Sequence, residues 1–580
     1  MRRSRRYSSI EASKQILGTI SSESDSESDI SSDGDSMSDE PDEAAEISIN
    51  NEAEWNFITP GEDDYNSATP YTGDPGLTSA RSTSSESPEN NVEDITYFIH
   101  LFLNDDFFNK LCLWTNKRAE LAFEKLDVEP DGDLPDSVSK WHPVSMNEMK
   151  KFFGIMLCMS LNKKPELRNY WSLNLVYRMQ LFQDNRCLSR NRFLEMRYLR
   201  FCDYDQIDES DSLAKILPFL KFVQNRCKSM YTPKKDICVD ESLLLFKGRI
   251  HFRRYIPSKR ARYGILSYCL CESDTGYTWN IEIAAGREDN LRMLENVPED
   301  TRNFTFSEKI VLVLIQDLLN QGYHLYVDNF FTSVRLAMFL FTQKTLVTGT
   351  IRSCRGVPEI LKTKEVKPKS VAFCRRKEVL CVKSVDRKSS GLKTLYMVDT
   401  ANKAATEERT RTLRGGIREE VKKSLSVLSY NKGMGGVDQR DGSLHQYNCP
   451  RKSFKWFTKV SMHLFHVLVR NSWIVYRSQG GRMDFLGYQE KVIDTLVLRT
   501  GDVRRAKKSD LQNSMVIASD GDPLHTLKRL SPTPTKPRPA KRCRVCYMDG
   551  KRKETVFVCG DCPDHPALCV DPCFRKFHHS

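Results

Sequence analysis

The stretch Ile237–Arg249, ICVDESLLLFKGR, decides how this chain is read. Ile237, Cys238 and Val239 form a short run of apolar strand-formers, Asp240 closes it, and Lys247 and Arg249 follow. Two further aspartates stand in similar settings: Asp328 after Leu-Tyr-Val in HLYVDNFF, and Asp438 after Gly435-Gly436-Val437 in MGGVDQRD. A single aspartate at a strand end is ordinarily a turn or cap residue. Three in matched settings point to one carboxylate cluster, with Gly435 and Gly436 read as a flexible approach that brings Asp438 to a strand end.

Carboxylates are the donors magnesium prefers, and two Mg2+ ions about 3.5 to 4 Å apart can activate a water or 3′-hydroxyl for phosphodiester exchange. Asp240, Asp328 and Asp438 are the expected Mg2+ ligands. Asp441, three residues after Asp438, faces the same side if a helix begins there, and is the fourth catalytic candidate. Glu241 points away from Asp240 on a continuing strand and is left out. Lys247, Arg249, Arg253, Arg254, Lys259, Arg260 and Arg262 crowd the segment after Asp240, interleaved with Phe252, Tyr255 and Tyr263. Such a block is either a solvated face or a DNA contact, and its closeness to candidate metal ligands favours DNA.

Charge elsewhere agrees. Residues 1–100 carry 22 acidic and 6 basic side chains, so the total of +11 leaves +27 for the remainder, the asymmetry of a polyanion-binding body behind an acidic tail. Residues 1–92, with SSESDSESDISSDGDSMSDE at their heart, hold too few apolar groups to offset the entropy of ordering and read as disordered. Ser22, Ser24 and Ser26, each followed closely by acids, suit an acid-directed kinase, whose phosphates would compete with DNA for the basic body. No apolar run approaches the roughly 20 residues of a membrane span, and no apolar signal segment opens the chain.

Helical periodicity begins at Tyr97, and Ser145 with Glu148 forms a capping box before MKKFFGIMLCMSL. Further helical runs cover about 189–202 and 211–229, and their apolar stripes read as plain core. Strands are expected at 237–240, 263–271, 277–283, 323–328 and 345–351, with helices from about Ser307 and Thr332 between them, so a mixed α/β core emerges. Residues 353–412 read as a basic, irregular insertion with short β-like pieces such as SVAFC and VLCVKSV. Helical patterning resumes at Trp456 and fades near residue 500.

Six of the 18 cysteines fall in the last 40 residues. Cys543 and Cys546, Cys559 and Cys562, then Cys569, Cys573 and His578 give two C-x2-C pairs followed by closely spaced donors, a zinc pattern in a segment too small to bury a core. Two Zn2+ ions in a crossed arrangement need eight ligands, with His579 and His565 competing for the last place. The unpatterned remaining cysteines and the metal module suit a reducing, intracellular setting. Lys536 to Arg544, with Arg504, Arg505, Lys507 and Lys508, fits a nuclear import signal.

VDESLLLFKGR, KRARYGI, CESDTGYTWN, YVDNFFTS, GTIR and YNKGMGGVDQRD in this order, with PELRNYWS upstream, resemble a piggyBac transposase, most closely the vertebrate transposable element-derived members. The resemblance runs from about residue 92 to the C-terminus. It implies an RNase H-like α/β catalytic core with a β-containing inserted subdomain, flanked by an all-α dimerisation and DNA-binding domain and followed by a cross-brace zinc finger. The corresponding boundaries are 1–92 tail, 93–230 and 446–503 helical domain, 231–352 and 425–445 core, 353–424 insertion, 504–540 linker and 541–580 zinc module. Such enzymes act as dimers, cut elements out through DNA hairpin ends and insert them at TTAA. On this resemblance Asp240, Asp328 and Asp438 are the catalytic triad and Asp441 its additional acid. Arg249, Tyr255, Asn329, Arg352 and Arg355 match positions near DNA, and Trp456 an aromatic close to the active site. Leu266, where the family often has lysine, and Gly442, where a bulkier residue is common, depart from the pattern. The zinc module resembles the domain that binds transposon ends. Two alternatives stay open: a domesticated DNA-binding descendant that no longer transposes, and a RING- or PHD-like adaptor whose zinc module binds protein.

Overall fold

Five strands built around the opening stretch position Asp240 and Asp328. The computed structural model describes residues 54–78, 95–126, 141–286, 297–412, 418–447, 455–499, 515–516 and 526–578, apart from isolated positions 68, 209, 258, 260, 261, 389, 390, 532, 534, 535, 537 and 538. The strands are β1 (Asp236–Leu245), β2 (Tyr263–Glu272), β3 (Thr278–Ile283), β4 (His324–Val327) and β5 (Leu346–Ile351). They lie in the order β3-β2-β1-β4-β5. The pairs β1-β2 and β2-β3 are antiparallel, and β1-β4 and β4-β5 are parallel. Ile237, Cys238 and Val239 are completely buried, as a strand covered on both faces requires. β1 runs five residues beyond Asp240, longer than the apolar run suggested.

The insertion is more regular than its basic composition suggested. β6 (Ser370–Arg376), β7 (Val379–Lys388) and β8 (Gly391–Asp399) form an antiparallel meander, and β8 pairs with β5 from Tyr396↔Ile351 to Asp399↔Thr348. The core sheet therefore continues into the insertion, which covers the polar edge that β5 would otherwise expose. β9 (Thr406–Thr412) and β10 (Arg418–Ser424) form a separate hairpin.

The expectation of disorder through residue 92 is corrected for 54–78. Asn56–Ile58 pairs with Phe373–Arg375 at the free edge of β6, and Gly76–Leu77 pairs with Tyr231–Thr232. Asp63 forms an ion pair with Arg375 at 2.8 Å, both side chains being buried, and Tyr65 stacks 4.0 Å from the same guanidinium. Tyr71 packs edge-on against Tyr323 and donates to the Pro233 carbonyl at 2.6 Å. Sparse aromatics and one aspartate thus strap an acidic stretch to the fold. Ser22, Ser24 and Ser26 lie outside the described residues.

Helices before and after the sheet pack as one layer. α1 (Ile95–Phe102), α2 (Asp105–Leu126), α3 (Met146–Leu161) and α4 (Leu217–Met230) precede it; α5 (Phe306–Ile315) and α6 (Val334–Thr342) lie within it. α7 (Leu425–Gly433), α8 (Gly436–Gln446), α9 (Trp456–Ser478) and α10 (Phe485–Val497) follow. α9 packs on α1 and α4, and α10 on α3. The Ser145–Glu148 capping box forms, and Glu148 is held by Arg192 at 2.7 Å. α4 starts at Leu217 rather than 211, because Pro218 has no N–H to donate back along a helix and so fits only its first turn. Among the described residues no helix is long and apolar enough to cross a membrane.

Candidate metal and nucleic-acid site

The parallel register Val239↔Val327 makes Asp240 and Asp328 the next residues on neighbouring strands, roughly 4.8 Å apart in backbone spacing. β4 ends at Val327, and a tight turn fixes Asp328: its Oδ1 accepts from the Phe330 N–H at 3.0 Å and its carbonyl from the Thr332 hydroxyl at 2.6 Å. Ser333 then caps α6.

Asp438 arrives on α8, which packs against β1 and β2. The two glycines before it were read as a flexible approach; Gly436 instead permits close contact. A Cβ there would lie 2.6 Å from the Glu272 carbonyl oxygen and 2.8 Å from Cys238 Sγ. Asp441 follows one turn later, and its Oδ1 accepts from Ser242 Oγ at 2.9 Å and from Arg440 at 2.8 Å.

Asp240 feels the charge of both Asp328 and Asp438, although the carboxylate oxygens of the three do not all lie within 4.8 Å of one another. Burial, with Asp328 and Asp438 adding to it, raises the Asp240 carboxyl to about 7 against the opposing Glu241 amide and Lys259. Burial also raises Asp328, against the Phe330 and Phe331 amides, Lys259 and Arg352. Mutually repelling, partly desolvated carboxylates of this kind fit a hard divalent cation, which relieves the repulsion and accepts oxygen ligands. Tyr430, which the sequence reading passed over, sits in the field of Asp328, Asp240 and Asp438, and burial lifts its phenol to about 12. Glu241, set aside as facing away, is raised by burial and by Asp328 and steadied by Lys259, Arg254 and Arg352. Its only sequence signal is its place beside Asp240.

The cations expected on DNA divide. Lys247 and Arg249 are exposed beyond β1. Tyr255 and Tyr263 stack at 4.6 Å, 45% and 43% exposed, with Arg253 lying 5.2 Å over Tyr263. Lys259 donates to the Glu241 carbonyl at 3.2 Å, and Arg352 reaches Asn329 at 3.4 Å, so both stand by the acids. Arg355 is turned to Ser307 at 2.8 Å, which anchors it in the fold. Trp456 packs edge-on against Phe252 at 5.2 Å, at the start of α9. Arg260 lies outside the described residues.

In the C-terminal module the donor atoms of Cys543, Cys546, Cys569 and Cys573 lie within 4.8 Å of one another, and so do those of Cys559, Cys562 and His578. The pairs interleave along the chain, and a four-thiol group suits tetrahedral zinc. His565 meets the Cys559 carbonyl through Nδ1 at 3.0 Å, and His579 lies outside the described residues. The module begins earlier than expected. Thr526–Arg529 pairs with Phe557–Cys559, because Leu527 is apolar and buries with Cys559 and Phe574.

A family model described as Transposase IS4 matches residues 95–473, and the human PiggyBac transposable element-derived protein 3 is 23% identical over 365 residues. The chain belongs to the piggyBac family of transposases. A second model, a DDE_Tnp_1-like zinc finger, matches residues 533–579 of this piggyBac-type chain. The match to human protein 3 covers 60% of this chain and 58% of the relative; human PiggyBac transposable element-derived protein 2 is 22% identical over 396 residues, covering 64% and 63%. The chain thus spans less than two thirds of the length of these curated relatives. Its fold is similar to a cryo-EM structure of the piggyBac transposase synaptic complex with hairpin DNA, with a TM-score of 0.59, 23% identity, and coverage of 74% of this chain and 83% of that one.

Proposed function

We propose that this piggyBac-family chain is a metal-dependent DNA transposase that cleaves and joins strands at transposon ends and inserts at TTAA. The observation that carries the reading is the register that seats Asp240 beside Asp328 on parallel strands, with Asp438 brought in by the Gly436 contact. The strand order β3-β2-β1-β4-β5 supports reading the core as RNase H-like. Two Mg2+ held by Asp240, Asp328 and Asp438 would supply Lewis-acid activation of the attacking oxygen and stabilise the leaving one. Lys259 and Arg352 neutralise phosphate charge beside the acids, and Tyr255 and Tyr263 offer a stacking surface to bases. Two Zn2+ would be held by Cys543, Cys546, Cys569 and Cys573 and by Cys559, Cys562 and His578, and Lys541, Arg542 and Arg544 would meet transposon-end phosphates.

A homodimer, a nuclear location and an acid-directed kinase acting on the N-terminal tail complete the reading. The similar structure is titled as a complex with hairpin DNA, which supports DNA as the partner. A second reading, a domesticated DNA-binding descendant, is favoured by the relatives' names, which call them element-derived. Mg2+-dependent nicking of DNA carrying candidate terminal repeats separates the two: nicking abolished in Asp328→Ala supports the enzyme, and binding without cleavage supports the descendant.

A further inference from the structure

Among the described residues Arg440 is the largest side chain buried without exposure, 0%, and it lies between Asp438 and Asp441 on α8. Its Nη1 donates to Asp441 Oδ1 at 2.8 Å and approaches Cys269 Sγ at 3.3 Å, and its Nη2 donates to His463 Nε2 at 3.1 Å. A guanidinium only donates, so His463 accepts through Nε2 and carries its proton on Nδ1. Cys269 is the cross-strand partner of Asp240 on β2, and Ser242 shares the Asp240 face of β1 two residues on. One guanidinium therefore ties α8 to the sheet and to α9 directly beside Asp240. A second buried arginine, Arg470, donates to the Gly276 and Thr275 carbonyls at 2.5 and 2.8 Å, and so fixes the turn against which Gly436 packs.

We propose that Arg440 and Asp441 form a positioning pair that seats the Asp438 helix on the sheet, and that Asp441 stands outside the metal coordination. This rests on the metal-site reading above. Asp441 Oδ1 is already shared by Ser242 and Arg440. Drawing Oδ1 onto a metal would take from Arg440 its ion-pair partner, in the core and next to divalent charge, where low dielectric magnifies repulsion. Closing the Arg440–Asp441 pair leaves three carboxylates to face two cations and a phosphate.

The test counts Mn2+ ions bound by the zinc-loaded full chain, using electron paramagnetic resonance. Asp441→Asn keeps an acceptor for Ser242 and Arg440, so the wild-type number of ions is expected, with affinity changed less than about tenfold. Asp438→Asn is expected to lose at least one ion. In strand nicking, Asp441→Ala should lower kcat by more than about tenfold with KM for DNA unchanged, and Asn should restore most of the rate. If Asp441→Ala fails to fold, the apolar double variant Arg440→Met with Asp441→Leu should still bind the full number of ions. Loss of an ion in Asp441→Asn, matching Asp438→Asn, overturns the proposal and leaves the metal site standing. A wild-type chain that binds no Mn2+ outside its zinc sites removes the metal site and this proposal together.

Discussion

Replacing Gly436 with alanine tests how α8 delivers Asp438. The added methyl would sit 2.6 Å from the Glu272 carbonyl oxygen, 2.8 Å from Cys238 Sγ and 3.2 Å from Ser273 Cα. Ordinary contact begins near 3.4 Å, and backbone cannot step aside as a flexible side chain can, so the start of α8 must retreat by about 0.6 to 0.8 Å. Overpacking of this kind costs about 1 to 3 kcal/mol. A displacement approaching 1 Å at a reacting group costs on the order of 10²-fold in rate, so metal-dependent nicking should fall by about 10- to 100-fold. Gly435 is the internal control, since a Cβ there meets nothing within 4 Å. Gly435→Ala should nick within about threefold of wild type. Parallel thermal melts separate loss of fold from loss of geometry. Wild-type nicking in Gly436→Ala, with an unchanged melt, would refute the close-contact reading.

Burial holds the Glu282 carboxyl at about 7, with the Gln224 donor and Lys228 and Lys221 opposing. A raised carboxyl carries no penalty below its unfolded value near 4.5 and the full penalty above about 7, so stability falls as pH rises through that window. Glu282→Gln should therefore raise the melting temperature at pH 8 and match wild type at pH 4, and equal melts at both pH values would contradict this. Cys546→Ser should release zinc from the four-thiol group and unfold the separate small core around Leu527 and Phe574, while the melt of the main body stays in place. Asp63→Ala leaves Arg375 buried without its ion-pair partner, so the strap should become cleavable by chymotrypsin at Tyr65 and the chain should lose about 3 kcal/mol; unchanged protection would show that the strap is held otherwise.

Local signals were legible where chemistry repeats at short range. The apolar runs before Asp240 and Asp328, the Ser145–Glu148 box and the C-x2-C pairs all announce themselves within a few residues. Residues 370–399 looked irregular because basic side chains interrupt them, yet Phe373 and Val382 are buried with Leu380, Met397 and Ala404 of the same region and are closed over by Ile58 and Val427 from outside it. The strap was hidden for the same reason: Asp63 and Arg375 lie 312 residues apart, and no periodicity in an acidic stretch forecasts such a pairing. Arg440 looks like a solvated charge in a polar helix, since its partners Cys269 and His463 come from other elements. Gly436 was noticed, but sequence cannot separate a glycine kept for mobility from one kept for contact.

The strand-cleavage reaction itself gives the most direct measurement of whether the three acids form one metal-dependent centre. Incubated with DNA carrying the element's own ends, the zinc-loaded chain should nick in Mg2+ or Mn2+, stop when the divalent ion is removed, and stop in Asp328→Ala despite an unchanged melt. Nicking that persists in a folded Asp328→Ala protein would contradict the account.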